Sequence, residues 1–306
     1  MPPLSGPRAQ QVSRTLAALA RSGWDSTVVC VDPAPGGPLL RDAGGSRFSA
    51  PGVTLAPIAS PEESWWWRAA CRLHPALAMR PDRQRVWIRP AAAAARRELA
   101  RHTADLLVTF GQPWSGHLAG LKVQAAAGLP WVAHFSDPWV DSPYLSVPPA
   151  IRAEHAAWER DVIATAAAVV FTTTQTAELV MAKYPDAWRR KVAVVPHGFE
   201  PRDSAPRSRT RDGRCRLVHT GRFYAGLRTP TGLFDALQRL MTTRTLADEL
   251  EVILMGPGSD GYQDEVRRRG LERVVSLRPR RPVDEATALA AAADALLVID
   301  APSASP

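Results

Sequence analysis

The chain has 306 residues, of which 45% are hydrophobic and 22% are charged. This balance excludes a mainly disordered, collagen-like or disulfide-stapled protein, and the length predicts about two domains. The formal net charge is +8, and only three of the 38 basic residues are lysines. Such an arginine surplus is typical of a compositional habit of the genome, or of affinity for anions such as nucleotide phosphates, anionic lipids or nucleic acid.

Targeting and metal-binding signals are absent from the sequence. No apolar run approaches the ~18 residues of a membrane-spanning helix, and the first residues lack the apolar core of a signal peptide. Cys30, Cys71 and Cys215 lie far apart without a CxxC pair, and the seven histidines show no close ligand spacing. We therefore predict a cytoplasmic protein with reduced thiols and no metal site.

Helices and short apolar strands alternate along the first two thirds of the chain. The predicted helices cover 9–22, 91–102, 115–127, 151–165 and 177–183, and the predicted strands cover 24–31, 105–110, 130–135, 167–172 and 192–195. Residues 32–61 are rich in proline and glycine and are predicted to be mostly loop. Ser115 is the predicted N-cap of its helix, and Gly128 the residue that stops it.

A break at residues 200–216, with two prolines and six arginines, predicts a linker. The alternation then resumes, with strands over 216–220, 250–255, 274–277 and 295–299 and helices over 231–241, 262–269 and 284–293. Apolar strands alternating with helices indicate a parallel sheet covered on both faces. The predicted fold class is therefore α/β, with two tandem Rossmann-like domains at 1–199 and 200–306.

One glycine motif matches a dinucleotide fingerprint. Gly256, Gly258 and Gly261 form a GxGxxG sequence after a predicted strand, and Arg278 follows the next strand, where it could face a 2′-phosphate. An NADP-dependent oxidoreductase is therefore one open alternative, and a non-catalytic α/β binding domain is another. A lone GxGxxG is weak evidence, and a glycine turn at the end of a strand is the simpler interpretation.

The segment GLPWVAHFSDPW at 128–139 is the sharpest motif in the chain. It resembles the "glPWvadfrDPW" segment of retaining GT-B glycosyltransferases of the family 4 type. Further pieces resemble that family in the same order: the opening PPLSGPRAQQ, the PD and W of 81–87, KVAVVPHGFEP, VHTGRFYAGLRTP, MGPGSDG and ADALLVI. The resemblance covers nearly the whole chain and implies two Rossmann-like domains, the second of which binds a nucleotide sugar.

The resemblance implies transfer of a hexose-type sugar from a nucleoside diphosphate sugar, with retention of configuration and without a metal or other cofactor. Gly221, Arg222 and Arg228 match the family's phosphate-binding loop, and two arginines suit a diphosphate that gains charge as the glycosidic bond breaks. Gly256, Gly258 and Arg278 would lie near the base and ribose. Ser5 and Gly6 would form the loop that approaches the donor phosphates or the acceptor.

On the acceptor side, the resemblance places His134 and Asp137 at the carboxyl end of a strand. Either residue could orient the acceptor or take its proton. The family usually has an acid where His134 stands and an arginine where Ser136 stands, and it prefers glycine where Pro7 stands. His197 and Glu200 match a crossing segment between the family's domains and are interpreted as structural.

A tryptophan- and arginine-rich stretch at 64–90 predicts a surface that binds membranes. Trp65, Trp66 and Trp67 precede several arginines, and Asp82 is the one acidic residue within this stretch. Indoles favour the headgroup region and arginines attract anionic lipid, so the protein could bind a membrane peripherally and use a lipid-linked acceptor. The alternative is a tryptophan cluster packed beneath a loop. No nucleic-acid partner is predicted.

Both ends of the chain differ from the family pattern. The family places a strand before the loop at Ser5, and a glutamate-bearing turn and further helices after the last predicted strand. We therefore expect a chain that is incomplete at both ends and weak or inactive in sugar transfer.

Overall fold

The computed structural model describes residues 7–32, 51–199, 213–224, 226–243 and 245–300. The chain divides into two compact units, Met1–Gly198 and Phe199–Pro306. In both units every pair of neighbouring strands in a sheet is parallel. Parallel neighbours need crossover connections, and in the four-stranded sheet of each unit these connections contain helices.

The described part of the first unit alternates strands with helices. Its strands are β1 (Ser26–Asp32), β2 (Val53–Ala59), β3 (Leu107–Gly111), β4 (Trp131–Phe135), β5 (Ala168–Phe171) and β6 (Val192–Val194). Its helices are α1 (Pro7–Arg21), α2 (Trp65–Leu73), α3 (Ile88–Arg101), α4 (Ser115–Ala127), α5 (Pro149–Thr165) and α6 (Thr174–Met181). Short 3-10 turns cover Pro61–Glu63, Pro75–Met79, Arg83–Trp87 and Asp186–Lys191.

Two sheets are present in the described part of this unit. One has the order β3-β4-β5-β6, and the other pairs β1 with β2. The larger sheet carries the main core, in which Trp131, Phe135 and Phe171 are fully buried together with Trp139 from the loop after β4. Burying such aromatic side chains removes much apolar surface from water, so this core fixes the end of β4 and its loop.

Strand β2 lies inside the region predicted to be mostly loop, so that prediction is wrong for 53–59. The strand contains Pro57, which cannot donate a backbone hydrogen bond. Its described pairing is with β1 alone, which makes β2 an edge strand, where a proline is tolerated. The prolines and glycines around residues 53–59 favour a loop, although the apolar residues of 53–59 themselves are compatible with a strand.

The start of α4 corrects the predicted serine cap. Ser115 is the first residue of the helix, and its own side chain does not cap the helix. Asp82 takes that role: its carboxylate accepts hydrogen bonds from the Ser115 backbone N–H at 2.9 Å and from the Ser115 hydroxyl. Gly128 ends the helix as predicted, with a left-handed φ of 66°.

Helix α2 was not predicted, and it separates the three neighbouring tryptophans. Trp65 is 81% exposed and Trp66 48% exposed, whereas Trp67 is only 5% exposed. The Trp67 indole donates a hydrogen bond to the Arg83 carbonyl oxygen at 3.0 Å. The prediction that Trp67 contacts a membrane is therefore wrong, because a helix turns successive side chains about 100° apart.

The second unit has its own parallel sheet within its described residues, ordered β10-β7-β8-β9. The strands are β7 (Cys215–Thr220), β8 (Leu250–Met255), β9 (Val275–Arg278) and β10 (Ala295–Leu296). The helices are α7 (Thr231–Met241), α8 (Leu246–Glu249), α9 (Gln263–Arg268) and α10 (Val283–Ala291). Phe234, Val252, Leu254 and Leu271 form the centre of its core.

No helix in the described ranges is long and apolar enough to cross a membrane. Most of the predicted linker, residues 200–212, lies outside the described residues. So do Ser5 and Gly6, the residues of the predicted first loop.

Candidate active site

Four side chains of the first unit gather at the carboxyl end of β4. His134 is the fourth residue of the strand, and Asp137 lies two residues beyond its end. Arg8, in the first turn of α1, places its Nη2 3.3 Å from Oδ2 of Asp137. The His197 ring centroid lies 6.3 Å from that of His134. Because the carboxyl ends of parallel strands hold the ligands of such sheets, this cluster is a candidate site.

The His134 ring is neutral near pH 7. Burial, followed by the positive charge of Arg8, lowers its pKa to about 4. The ring packs against Phe110 of the neighbouring strand at a centroid distance of 5.1 Å. Its Nδ1 is buried and has no hydrogen-bond partner among the described residues. A neutral imidazole has one donor and one acceptor nitrogen, so a ligand hydroxyl that approaches Nε2 can form a hydrogen bond with the ring.

Asp137 and Arg8 form an unequal pair. The Asp137 side chain is 56% exposed, whereas the Arg8 side chain is only 18% exposed. Burial lowers the pKa of Arg8, and the charge of Asp137 opposes that shift. The carboxylate is therefore open to a ligand while the guanidinium behind it fixes its position, which suits a group that accepts a proton from an acceptor hydroxyl.

The loop that carries Asp137 is fastened by a buried carboxylate on α5. Glu159 has no exposed surface, and its Oε2 accepts a hydrogen bond from the Val140 backbone N–H at 2.9 Å. Its Oε1 accepts from Lys183 Nζ at 2.6 Å and from the Tyr184 hydroxyl at 2.7 Å. The loop after β4 is consequently held at both its backbone and its core tryptophan, Trp139.

In the second unit, the predicted phosphate turn follows β7. The guanidinium carbons of Arg222 and Arg228 each lie 5.8 Å from the centroid of the Tyr224 ring. Tyr224 and Arg228 exchange backbone hydrogen bonds of 3.0 Å, which close the turn between them. Arg228 Nη2 also lies 2.9 Å from Oδ1 of Asp300, whose side chain is 74% exposed. The turn thus gathers two cations around one ring.

Glycines allow this turn to contact the next strand end backbone to backbone. A Cβ on Gly256 would lie 1.9 Å from the Gly221 carbonyl oxygen, and Gly256 has a φ of 146°. A Cβ on Gly258 would lie 3.0 Å from the Phe223 carbonyl oxygen. Only glycine fits at Gly256, so part of the GxGxxG motif is explained by this packing.

The geometry does not favour the dinucleotide interpretation of the same motif. The third glycine of a fingerprint permits close packing of helix on strand, but a Cβ on Gly261 would meet no atom within 4 Å. Arg278 Nη2 lies 3.6 Å from the Glu251 carboxylate, and its Nε donates to the Ser276 hydroxyl at 3.3 Å. The predicted 2′-phosphate cation therefore already has partners on the sheet.

Sequence reasoning missed Arg8 and treated His197 as structural. Arg8 is one arginine among many, and its contact with Asp137 spans 129 positions, so no local pattern indicates it. The pKa of His197 is lowered by burial and then by Arg8. Among the residues that the structure describes, no group of three His, Cys, Asp or Glu side chains could hold a metal ion.

A sequence profile described as "Glycosyl transferase 4-like domain" matches residues 8–198, which include the whole strand-end cluster. The chain belongs to the glycosyl transferase 4-like family. The two-domain GT-B architecture that the sequence resemblance implies is also the fold of similar solved structures. A search of curated protein sequences finds no match.

Three solved structures illustrate the fold that this glycosyl transferase 4-like chain shares. Sucrose-phosphate synthase from Thermosynechococcus elongatus matches with a TM-score of 0.69 and 13% identity over 95% of this chain and 69% of that one. WaaG, a glycosyltransferase involved in lipopolysaccharide biosynthesis, matches with a TM-score of 0.60 and 15% identity, over 95% of this chain and 70% of that one. The apo form of the lipopolysaccharide outer core galactosyltransferase WaaB matches with a TM-score of 0.51 and 15% identity, over 89% of this chain and 73% of that one. The fold is GT-B, with two Rossmann-like units.

Proposed function

We propose that this glycosyltransferase moves a hexose-type sugar from a nucleoside diphosphate sugar to an acceptor hydroxyl, with retention of configuration and without a metal ion. The observation that carries the proposal is the turn after β7, where Arg222 and Arg228 flank Tyr224. Cleavage of the glycosidic bond adds negative charge to the leaving diphosphate. Fixed guanidinium groups stabilise that charge more in the transition state than in the ground state.

The contact between Arg228 and Asp300 fits a site that exchanges one anion for another. The exposed Asp300 carboxylate lies 2.9 Å from the guanidinium, and such an exposed pair contributes little stability. A diphosphate offers more oxygens to the planar guanidinium than one carboxylate does. One structural neighbour, described as trehalose-6-phosphate from E. coli bound with UDP-2-fluoro glucose, has a TM-score of 0.55 to this chain.

In the first unit, Asp137 is the proposed proton acceptor, and His134 the proposed hydrogen-bonding group for the acceptor. The exposed carboxylate is free to approach a hydroxyl, whereas the buried imidazole is a weak base with a pKa of about 4. Arg8 holds the carboxylate in place at 3.3 Å. Three of the four clustered side chains thus have a proposed role. The fourth, His197, packs beside His134.

The acceptor in this proposal is linked to a lipid, and the protein works in the cytoplasm on a membrane surface. Trp65 and Trp66 are the exposed indoles of α2, and Leu73, 75% exposed, ends the same helix. Indoles and basic side chains together suit the interface of an anionic membrane. The buried Trp67 has no part in this contact.

Donor turnover tests the proposal. The purified chain is incubated with UDP- and GDP-linked hexoses, and proton NMR follows release of the sugar and the configuration of its anomeric carbon. Transfer or slow hydrolysis that releases the retained anomer, unaffected by a chelator, supports the proposal. Inversion of the anomer would contradict retention, and activity that disappears with the chelator would contradict metal independence.

A further inference from the structure

A second pocket lies in the first unit, on the helices that cover the larger sheet. Its volume is about 500 Å³. None of its lining residues belongs to the strand-end cluster of Arg8, His134, Asp137 and His197. The lining comes from the segment 80–89, from α4 and α5, from Trp66 of α2 and from Pro61 in the turn before it.

Four cationic side chains line this pocket: Arg80, Arg85, Arg89 and Lys122. Arg80 Nη2 lies 3.1 Å from the Glu154 carboxylate. Within the described ranges no carboxylate lies within ion-pair distance of the other three, and Arg80 Nε is buried without a hydrogen-bond acceptor. Water screens the repulsion of the exposed Arg89 and Lys122, and an anion bound among the four cations would reduce it further.

Two indoles complete the lining. Trp66 is 48% exposed and contacts Trp67 edge-on, with 6.1 Å between the ring centroids. Trp158 is partly buried against the main core of the unit. The pocket therefore presents flat apolar surfaces beside its cations, which suits a ligand that has an anionic end and an apolar or ring-shaped remainder.

The segment 80–89, which carries three of these four cations, is held in place by hydrogen bonds to its backbone and to Asp82. Asp82 accepts hydrogen bonds from the backbone of Gln84 at 3.0 Å and of Ser115 at 2.9 Å. The Met79 carbonyl oxygen is 2.7 Å from Nε2 of the buried His155. The Arg83 carbonyl oxygen accepts from the Trp67 indole. Such fixed backbone lowers the entropy cost of ordering the cationic side chains around a ligand.

We propose that this pocket binds a phosphate ester, with the phosphate among Arg85, Arg89 and Lys122 and its apolar part against Trp66 and Trp158. Arginine offers paired donors to phosphate oxygens, and three cations with no carboxylate partner balance a phosphate or diphosphate. The lining of this pocket includes no residue of the turn after β7, and the proposal does not depend on the sugar transfer proposed above. Its ligand is either a soluble phosphate ester or the headgroup of a lipid.

Two ligands distinguish these sources. Calorimetry measures binding of glucose 1-phosphate, and flotation measures binding to vesicles of equimolar phosphatidylcholine and phosphatidic acid, with pure phosphatidylcholine vesicles as the reference. The variants are Arg89→Gln and Lys122→Gln. Arg97→Gln is the matched control, because Arg97 is an exposed residue on the same helix as Arg89. Thermal melting confirms that all variants fold.

Each pocket variant is expected to weaken binding about tenfold, since it removes one charge-assisted contact, while Arg97→Gln leaves binding unchanged. An effect on glucose 1-phosphate identifies a soluble ester, and an effect confined to the phosphatidic acid vesicles identifies a lipid headgroup. Either result supports the proposal that the pocket binds a phosphate ester. Absence of binding to both ligands, or equal loss in Arg97→Gln, would overturn it. Donor turnover by Arg89→Gln, measured separately, distinguishes this outcome from failure of the proposed function.

Discussion

Arg8 Nη2 lies 3.3 Å from Oδ2 of Asp137, which joins the first turn of α1 to the loop after β4 across 129 positions of the sequence. The guanidinium is nearly covered and the carboxylate is open. This asymmetry distinguishes the contact from an ordinary surface ion pair, in which both partners are solvated. The Asp137 carboxylate is therefore accessible to a substrate, while its contact with the buried Arg8 guanidinium fixes its position.

Asp137→Asn tests that carboxylate directly. The amide is nearly the same size but cannot take a proton, so we expect turnover to fall by about 10²–10⁴-fold with little change in stability. Asp161→Asn is the matched control, because Asp161 is an exposed aspartate on α5 that also pairs with an arginine, Arg160. Turnover in Asp137→Asn equal to that in the control would remove Asp137 from the mechanism.

Low pH is expected to destabilise the first unit through two histidines. Burial lowers the pKa of His117 to about 3 and that of His134 to about 4, whereas both take a proton near pH 6.5 when unfolded. The unfolded chain therefore binds more protons as the pH falls, so stability is complete above about pH 6.5 and declines towards pH 4. Each buried histidine loses about 3 kcal/mol of stabilisation between pH 6.5 and pH 4, since one pH unit corresponds to about 1.4 kcal/mol.

Urea unfolding at several pH values measures this loss. His134→Gln is expected to flatten part of the pH dependence between 6.5 and 4. His102→Gln is the control, since His102 is exposed at the end of α3. A pH profile that is the same in His134→Gln and in the wild type would show that His134 titrates normally.

The buried Glu159 is expected to be necessary for stability. Glu159→Gln keeps the shape but leaves Lys183 without one of its two carboxylates and offers Tyr184 a weaker acceptor. Because Lys183 is partly exposed and keeps Asp141 as a partner, we expect a loss of about 1–3 kcal/mol rather than that of a fully buried ion pair. Chemical denaturation measures the change, with Glu178→Gln on the exposed face of α6 as the control. Equal stability of the two variants would contradict the proposed role of Glu159 in holding the loop after β4.

Gly256→Ala is expected to disrupt the second unit. Its Cβ would lie 1.9 Å from the Gly221 carbonyl oxygen, and the φ of 146° disfavours any side chain. Gly232→Ala is the matched control, because Gly232 lies on α7 with open space around its Cβ, and alanine there stabilises a helix by about 0.5–1 kcal/mol. Thermal melting separates the two: a melting temperature of Gly256→Ala as high as that of the control would refute the close contact.

Membrane binding is expected to depend on the exposed indoles of α2. Trp65→Ala and Trp66→Ala should each reduce flotation with anionic vesicles in low salt, because each removes an interfacial aromatic group. Trp24→Ala is the control, since Trp24 is 46% exposed but belongs to the segment before β1 rather than to α2. Equal flotation of all three variants, or none by the wild type, would end the membrane proposal.

Regular periodic segments were predicted well from the sequence. The helices Ser115–Ala127 and Thr231–Met241 and the strand Leu250–Met255 have the predicted bounds, because their apolar patterns and end signals agree. The parallel arrangement of the strands follows from the alternation with helices. The predictions failed for β2, which lies in a region rich in proline and glycine, and for α2, whose tryptophans and arginines give no clean period.

The candidate site was only partly predictable for a physical reason. Strand-end residues such as His134 and Asp137 can be named from local sequence, because the sheet brings all strand ends to one edge. Arg8 and Glu159 act through contacts formed only when distant segments pack together. The site assignments of Asp137, His134, Arg222 and Arg228 remain predictions that the variants above test.

A calorimetric titration with UDP and GDP tests the nucleotide-sugar function most directly. The wild-type chain is expected to bind one of the two diphosphates, and Arg228→Gln to bind it about tenfold more weakly, since one charge-assisted phosphate contact is lost. Arg239→Gln, an exposed arginine on α7, should bind as the wild type does. Unchanged affinity in Arg228→Gln, or NADP binding tighter than that of either diphosphate, would contradict a donor site at the turn after β7.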